Sequence, residues 1–142
     1  TGGENTGKSK TNQQVPQGHG QWILLVEDDP GMLELTRTIL TSLNYQVEAK
    51  QSPMEAFEVG SSPDSPFSLL ITDVIMPGMN GRELAERLQI NQPKLPCLFM
   101  SGYTADVIAQ SGILDDRVHF LQKPFSKETL AVKINKILNQ SL

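Results

Sequence analysis

Cysteine is nearly absent: Cys97 is the only one among 142 residues, so no disulfide framework within the chain can staple the fold. It lies in the apolar run from Leu95 to Met100 and reads as a small buried hydrophobe, as suits a reducing, cytoplasmic setting. Long apolar runs are absent too. Nothing approaches the roughly 20 residues that a bilayer-spanning helix needs, and the N-terminus lacks the charged-then-apolar order of a secretory signal. Basic residues are few, 12 against 16 acidic ones, and unclustered, which argues against nucleic acid as a direct partner, because phosphate binding needs a concentrated basic patch. No Met stands at position 1, and Thr1 reads as the start of a fragment or of a processed chain. What is present is enough for one ordinary domain: a 38% hydrophobic content can bury a core unaided.

Residues 1–20 hold five glycines and one aliphatic residue, Val15, too little apolar area to offset the entropy of ordering them. They read as a disordered linker or appended tail, with a single domain over 21–142. From Gln21 onward short apolar runs alternate with helix-period segments, the pattern of βα units. Trp22 to Val26 is a continuously apolar first strand, as a strand covered on both faces should be. Asp29-Pro30 caps a first helix carrying Met32, Leu35, Ile39 and Leu43 on one stripe. Tyr45, Val47 and Ala49 alternate with polar residues as a half-exposed edge strand, and Ser52 to Glu55 is a capping box opening a short helix. Phe67 to Thr72 is a third strand running into Asp73. Arg82 to Asn91 is helical, Leu95 to Met100 a fourth strand, and Thr104 caps a short helix to about Ser111. Val118 to Leu121 is a fifth strand, and the last helix opens at Ser126. Five strands and five helices in strict alternation require a doubly wound parallel sheet, because right-handed crossovers place helices on both faces.

In such a sheet, functional groups gather at the carboxyl ends of the strands. The first strand ends in Glu27-Asp28-Asp29, the third in Asp73, the fourth in Ser101 and the fifth at Lys123. Asp29, next to Pro30, has the ordinary role of a helix cap. Adjacent Glu27 and Asp28 at a buried strand end repel each other unless a cation or a proton intervenes. A hard divalent cation, Mg²⁺ or Mn²⁺, answers that repulsion: Asp28 and Asp73 as direct ligands, Glu27 through water and the Ile75 carbonyl would suffice. With its charge partly offset, Asp73 can attack a phosphoryl group and form an acyl phosphate. Lys123 is placed to offset phosphoryl oxygens, and the Ser101 hydroxyl to donate to one of them. Taken singly, Lys123 reads as a solvated loop lysine and Ser101 as a turn cap. Taken together, four strand ends supplying compatible groups favour chemistry.

The segments Ile23-Leu-Leu-Val-Glu-Asp-Asp-Pro30, Asp73-Val-Ile-Met-Pro-Gly-Met-Asn-Gly81, Met100-Ser-Gly-Tyr-Thr104 and Leu121-Gln-Lys-Pro-Phe125 resemble the receiver domains of two-component signalling systems, over about residues 21–140. That resemblance implies a flavodoxin-like (βα)₅ fold with strand order 2-1-3-4-5. It implies Asp73 as phosphoacceptor, Glu27 and Asp28 as the acidic pair, Ser101 and Phe120 as the switch pair, and Lys123 before a cis Pro124. Ile75 and Tyr103 then flank the phosphoryl site and tune water attack on it. It implies a histidine kinase domain and a histidine phosphotransfer protein as partners, with self-catalysed phosphotransfer and dephosphorylation. The wording is most similar to the C-terminal receiver of a hybrid sensor histidine kinase, which would make this the soluble tail of a membrane-anchored sensor.

Other readings have identifiable features. A free-standing single-domain regulator would share every motif, and a docking module that is never phosphorylated would keep the fold without the chemistry. Haloacid-dehalogenase-like phosphatases need a second Asp two residues after the nucleophile, where Ile75 stands. A nucleotide or flavin binder would need glycines and donors after the first strand, where Glu27-Asp28 would repel phosphate. Neither His19 nor His119 has a phosphodonor or metal-ligand context.

Overall fold

The structure, a computed structural model, describes residues 15–114 and 118–139. Five strands alternate with five helices in chain order: β1 (Trp22–Val26), α1 (Pro30–Ser42), β2 (Gln46–Lys50), α2 (Pro53–Gly60), β3 (Phe67–Asp73), α3 (Gly81–Asn91), β4 (Cys97–Ser101), α4 (Ala105–Ser111), β5 (His119–Gln122) and α5 (Lys127–Asn139). The sheet runs β2-β1-β3-β4-β5, and every neighbouring pair is parallel.

Alternation along each strand divides the core in two, since successive side chains point to opposite faces. Leu24, Val26, Leu70 and Phe99 meet Ala56 of α2, Leu84 and Leu88 of α3, and Ile108 of α4. Ile23, Leu25, Leu69, Ile71, Leu98 and Met100 meet Leu40 of α1 and Leu130, Ile134 and Ile137 of α5. Because both sides of β1, β3 and β4 are covered, these strands contain almost no polar residue until the last one or two positions. The polar groups are thereby confined to the rim.

Local signals set most boundaries. The Asp29 carboxylate accepts from the amides of Gly31 and Met32, with Pro30 at the first helical position. Ser52 caps α2 by accepting from Met54 and Glu55, and Thr104 caps α4 by accepting from Val107. The Ser126 hydroxyl accepts from the Thr129 amide at the start of α5. A reciprocal capping box at Asn80 and Glu83 opens α3.

Several expectations differ from what is found. Leu35, assigned to the buried stripe of α1, is 54% exposed, and Thr36 is buried in its place; Thr36, Leu40 and Leu43 stand four and seven apart and form the face that meets the sheet. The fourth strand begins at Cys97 and not at Leu95, whose amide closes a turn onto the Gln92 carbonyl. Residues 15–20, expected as the end of a disordered linker, lie against the domain: the amides of Gly18 and Gly20 donate to the carbonyls of Leu43 and Asn44. The Asn44 and Gln46 side-chain amides return hydrogen bonds to the carbonyls of Gly18 and Gly20. Tyr45 is consequently buried, not half-exposed. The remainder of that segment, 1–14, lies outside the described residues.

Candidate functional site

The carboxyl ends of β1, β3, β4 and β5 bring Glu27, Asp28, Asp73, Ser101 and Lys123 to one rim. Glu27 and Ser101 are almost fully buried and Asp73 nearly so, while Asp28 is exposed. One carboxylate oxygen from each of Glu27, Asp28 and Asp73 lies within 4.8 Å of the others. Lys123, 96 positions after Glu27, donates from Nζ to Glu27 Oε2 at 2.6 Å and to Asp73 Oδ2 at 3.3 Å. A half-buried ammonium therefore bridges two buried carboxylates.

Backbone amides hold those carboxylates in place. Glu27 Oε1 accepts from the Asp29 amide at 3.2 Å, and Asp73 Oδ1 accepts from the Val74 amide at 2.9 Å. The loop after Asp73 folds back tightly, with the Gly81 amide donating to the Val74 carbonyl at 2.8 Å. Position 81 must be glycine here, because a Cβ would stand 2.2 Å from the Asp73 carbonyl oxygen. Lys123 is fixed through its backbone, its amide donating to the Ser101 carbonyl at 2.8 Å, and the following Lys123-Pro124 bond is cis.

Burial pushes the Glu27 carboxyl above the usual carboxylate range; the hydrogen bond from Lys123 opposes this, and the nearby charge of Asp73 adds to it. Its ionised form thus depends on the ammonium beside it. For Lys123, burial alone would lower the pKa, but the hydrogen bond to Glu27 and the charges of Asp73 and Glu27 together outweigh it and leave the ammonium above its ordinary value. Lys123 therefore keeps its proton across the physiological range.

The remaining residues singled out from the sequence frame this centre. Ser101 Oγ accepts from the Tyr103 amide at 3.0 Å, so the hydroxyl acts as a turn cap while its own hydrogen remains able to donate elsewhere. Ile75 and Tyr103 are 48% and 56% exposed on the two loops beyond Asp73 and Ser101. Phe120 is half-buried against the core under α4. His19 is exposed and His119 half-buried in β5, both away from the acidic rim. The direct Glu27–Lys123 pair, the Arg82 contact described below and the Gly81 fold-back had no local signal, since each joins elements that only the folded sheet brings together.

The oxygen-only donor set of Glu27, Asp28 and Asp73 fits a hard divalent cation, which prefers carboxylate, carbonyl and water oxygens. The arrangement can also perform nucleophilic attack by a carboxylate on an electrophile whose negative charge an ammonium offsets. Comparison with known proteins agrees. The family model of the response regulator receiver domain matches residues 23–135. The chain is 34% identical over 116 residues to the response regulator receiver protein CpdR of Brucella abortus, covering 82% of this chain and 95% of CpdR. It is 32% identical over 118 residues to the sensor kinase CckA of the same organism, covering 83% of this chain and 12% of that much longer protein. The crystal structure of the receiver domain from the hybrid histidine kinase CckA superposes with a TM-score of 0.69 at 30% identity, covering 83% of this chain and 99% of that one. Five parallel strands in the order 2-1-3-4-5, an acidic cluster at their carboxyl rim and a family match spanning most of the chain together make it a member of the response regulator receiver family of two-component signalling.

Proposed function

We propose that Asp73 is the phosphoacceptor of this receiver, taking a phosphoryl group from the phosphohistidine of a histidine kinase. The carrying observation is the convergence of the Lys123 ammonium on Asp73 Oδ2 and Glu27 Oε2 beside the exposed carboxylate of Asp28. In the transfer an Asp73 oxygen forms a bond to phosphorus as the phosphorus–nitrogen bond breaks, its electron pair returning to the imidazole. Phosphoryl transfer asks chiefly for alignment and charge stabilisation. The Val74 amide on Oδ1 and Lys123 on Oδ2 fix the orientation of the Asp73 carboxylate. Asp28 and Asp73, with Glu27 through water and the Ile75 carbonyl, would hold Mg²⁺ or Mn²⁺, which when bound offsets the charge on the phosphoryl oxygens. Ser101 is the donor to one phosphoryl oxygen once its hydroxyl turns from the Tyr103 amide. Phe120, with an apolar ring and no polar tip, then moves by packing alone, which shifts a two-state balance over α4, β5 and α5. Ile75 and Tyr103 stand beside the site and limit water attack on the acyl phosphate.

The upstream partner we infer is a kinase domain in the same chain, with a histidine phosphotransfer protein downstream, as the likeness to CckA suggests. A free-standing receiver is the second reading, favoured by the 95% coverage of CpdR. Acetyl phosphate with Mg²⁺ tests the acceptor: intact-mass measurement should show one acid-labile phosphoryl group, lost in Asp73→Asn. Undiminished or acid-stable labelling of that variant would refute it. The origin is tested by offering the domain a phosphorylated kinase core from its own chain or operon beside an unlinked kinase; preference for the unlinked one removes the hybrid reading.

A further inference from the structure

Among the five helices, α4 has the least packing to hold it. Ile108 is its one buried residue, whereas α5 buries Leu130, Ala131, Ile134 and Ile137. A pocket of about 170 Å³ lies beneath it, lined by Ile108, Leu114 and Phe120 among others. Side chains facing such a gap forgo part of their dispersion contacts, so the core alone does not lock this helix. A directed bond reaches its far end instead: Arg82 Nη1 donates to the Ile113 carbonyl at 2.9 Å, across 31 positions of sequence.

Arg82 is well placed to resist movement. It follows Gly81, whose backbone is seated on the Asp73 carbonyl and bonded to Val74. Its Nε donates to Glu86 Oε2 at 3.1 Å, which fixes the guanidinium plane along α3. One side chain thus ties the phosphoacceptor loop to the segment that leaves α4 at Gly112.

We propose that Arg82 is a latch: a positioning residue that holds α4 and Ile113 in the resting arrangement and lets go of the Ile113 carbonyl when Asp73 is phosphorylated. This rests on the switching role given above to Ser101. If that hydroxyl turns to the phosphoryl group, the Tyr103 amide loses its acceptor one residue before the Thr104 cap. The amino end of α4 is then released and the pocket beneath offers room, so the Arg82–Ile113 bond at the carboxyl end is what the movement has to break. Coupling is reciprocal, so whatever phosphorylation must break, prior removal makes phosphorylation easier.

The test uses beryllofluoride with Mg²⁺ as a phosphoryl mimic, followed by amide chemical shifts in the wild type, Arg82→Met and Arg82→Lys. Met keeps the apolar stem and deletes the donors; Lys keeps a donor but not the planar fork. Loss of one such hydrogen bond should tighten beryllofluoride binding about five-fold in Arg82→Met. In the unliganded variant the Ile108–Leu114 amides should already lie part of the way to their bound positions, with Arg82→Lys between the two. Glu86→Gln, which leaves the Arg82–Ile113 bond in place, should bind as the wild type does. Wild-type affinity and shifts in Arg82→Met, beside a wild type that responds at Ser101 and Phe120, would overturn the latch alone. A wild type with no response at Ser101 would overturn the switching role and the latch with it.

Discussion

At the carboxyl rim of the sheet, Glu27, Asp73 and Lys123 place two carboxylates and an ammonium in space nearly closed to water. At the amino rim, residues 18–20 close over the turn between α1 and β2 with neutral hydrogen bonds, and Gly18 lies flat on the Tyr45 ring. Both rims are tied by polar contacts, exposed or half-buried at the amino rim and mostly buried at the carboxyl rim, and they differ in what happens when one partner is taken away. A neutral hydrogen bond lost to water costs on the order of 1 kcal/mol, whereas a buried charge left without its partner costs several times that. The chemistry therefore sits where stability is most exposed to a single change, and the strap sits where it is cheaply held.

Lys123→Ala should have the largest effect, because it leaves Glu27 and Asp73 facing each other without a counter-charge. We expect it to lose about 3 kcal/mol in denaturant titration without divalent cation, and to regain part of this in Mg²⁺. A melting curve insensitive to Mg²⁺ would show that the carboxylates are relieved in another way. Next is the amino rim: a Cβ at position 18 would stand 2.3 Å from Tyr45 Cε1, so Gly18→Ala should cost about 2 kcal/mol by overpacking. Labelling by acetyl phosphate should be retained in that variant at temperatures where it is folded; joint loss of both would erase the distinction between the rims.

Asp73→Asn removes one of two repelling carboxylates while keeping its shape. It should raise cation-free stability by about 1 kcal/mol, as substitutions at functional sites often do, and a fall of that size would mean that Asp73 contributes more to the ion pair than to the repulsion. The smallest effect belongs to Thr36, whose buried hydroxyl has no hydrogen-bond partner among the described residues. Thr36→Val should raise stability by about 1 kcal/mol or less. A clear loss would place a bound water at that hydroxyl.

Much of the fold is legible because it is written in short-range patterns. Trp22–Val26 is apolar throughout, and Cys97–Ser101 is apolar up to its terminal serine, because both strands are covered on both faces, and Asp29, Ser52 and Thr104 act as caps within three residues of the amides they bind. The site is legible for a related reason: Glu27, Asp73, Ser101 and Lys123 each end a strand or directly follow one, and a parallel sheet must carry those ends to one rim. Reading failed where two patterns competed. Leu35 and Thr36 are adjacent on a helix, and hydrophobicity favours the first, but the face set by Leu40 and Leu43 takes the second. In residues 15–20 composition suggested disorder, yet glycine at 18 is what allows the chain to lie against Tyr45.

By itself the sequence determined the order of elements, the two faces of each strand, most helix starts and the set of charged groups at the carboxyl rim. These follow from periodicity and capping, whose range is four residues or so. Only the tertiary structure decided that Lys123 rests on Glu27 more closely than on Asp73, that Gly81 seats against the Asp73 carbonyl and that Arg82 reaches Ile113. Each of those contacts depends on the summed geometry of several elements, and a shift of one ångström in any of them would change the partner without changing a residue.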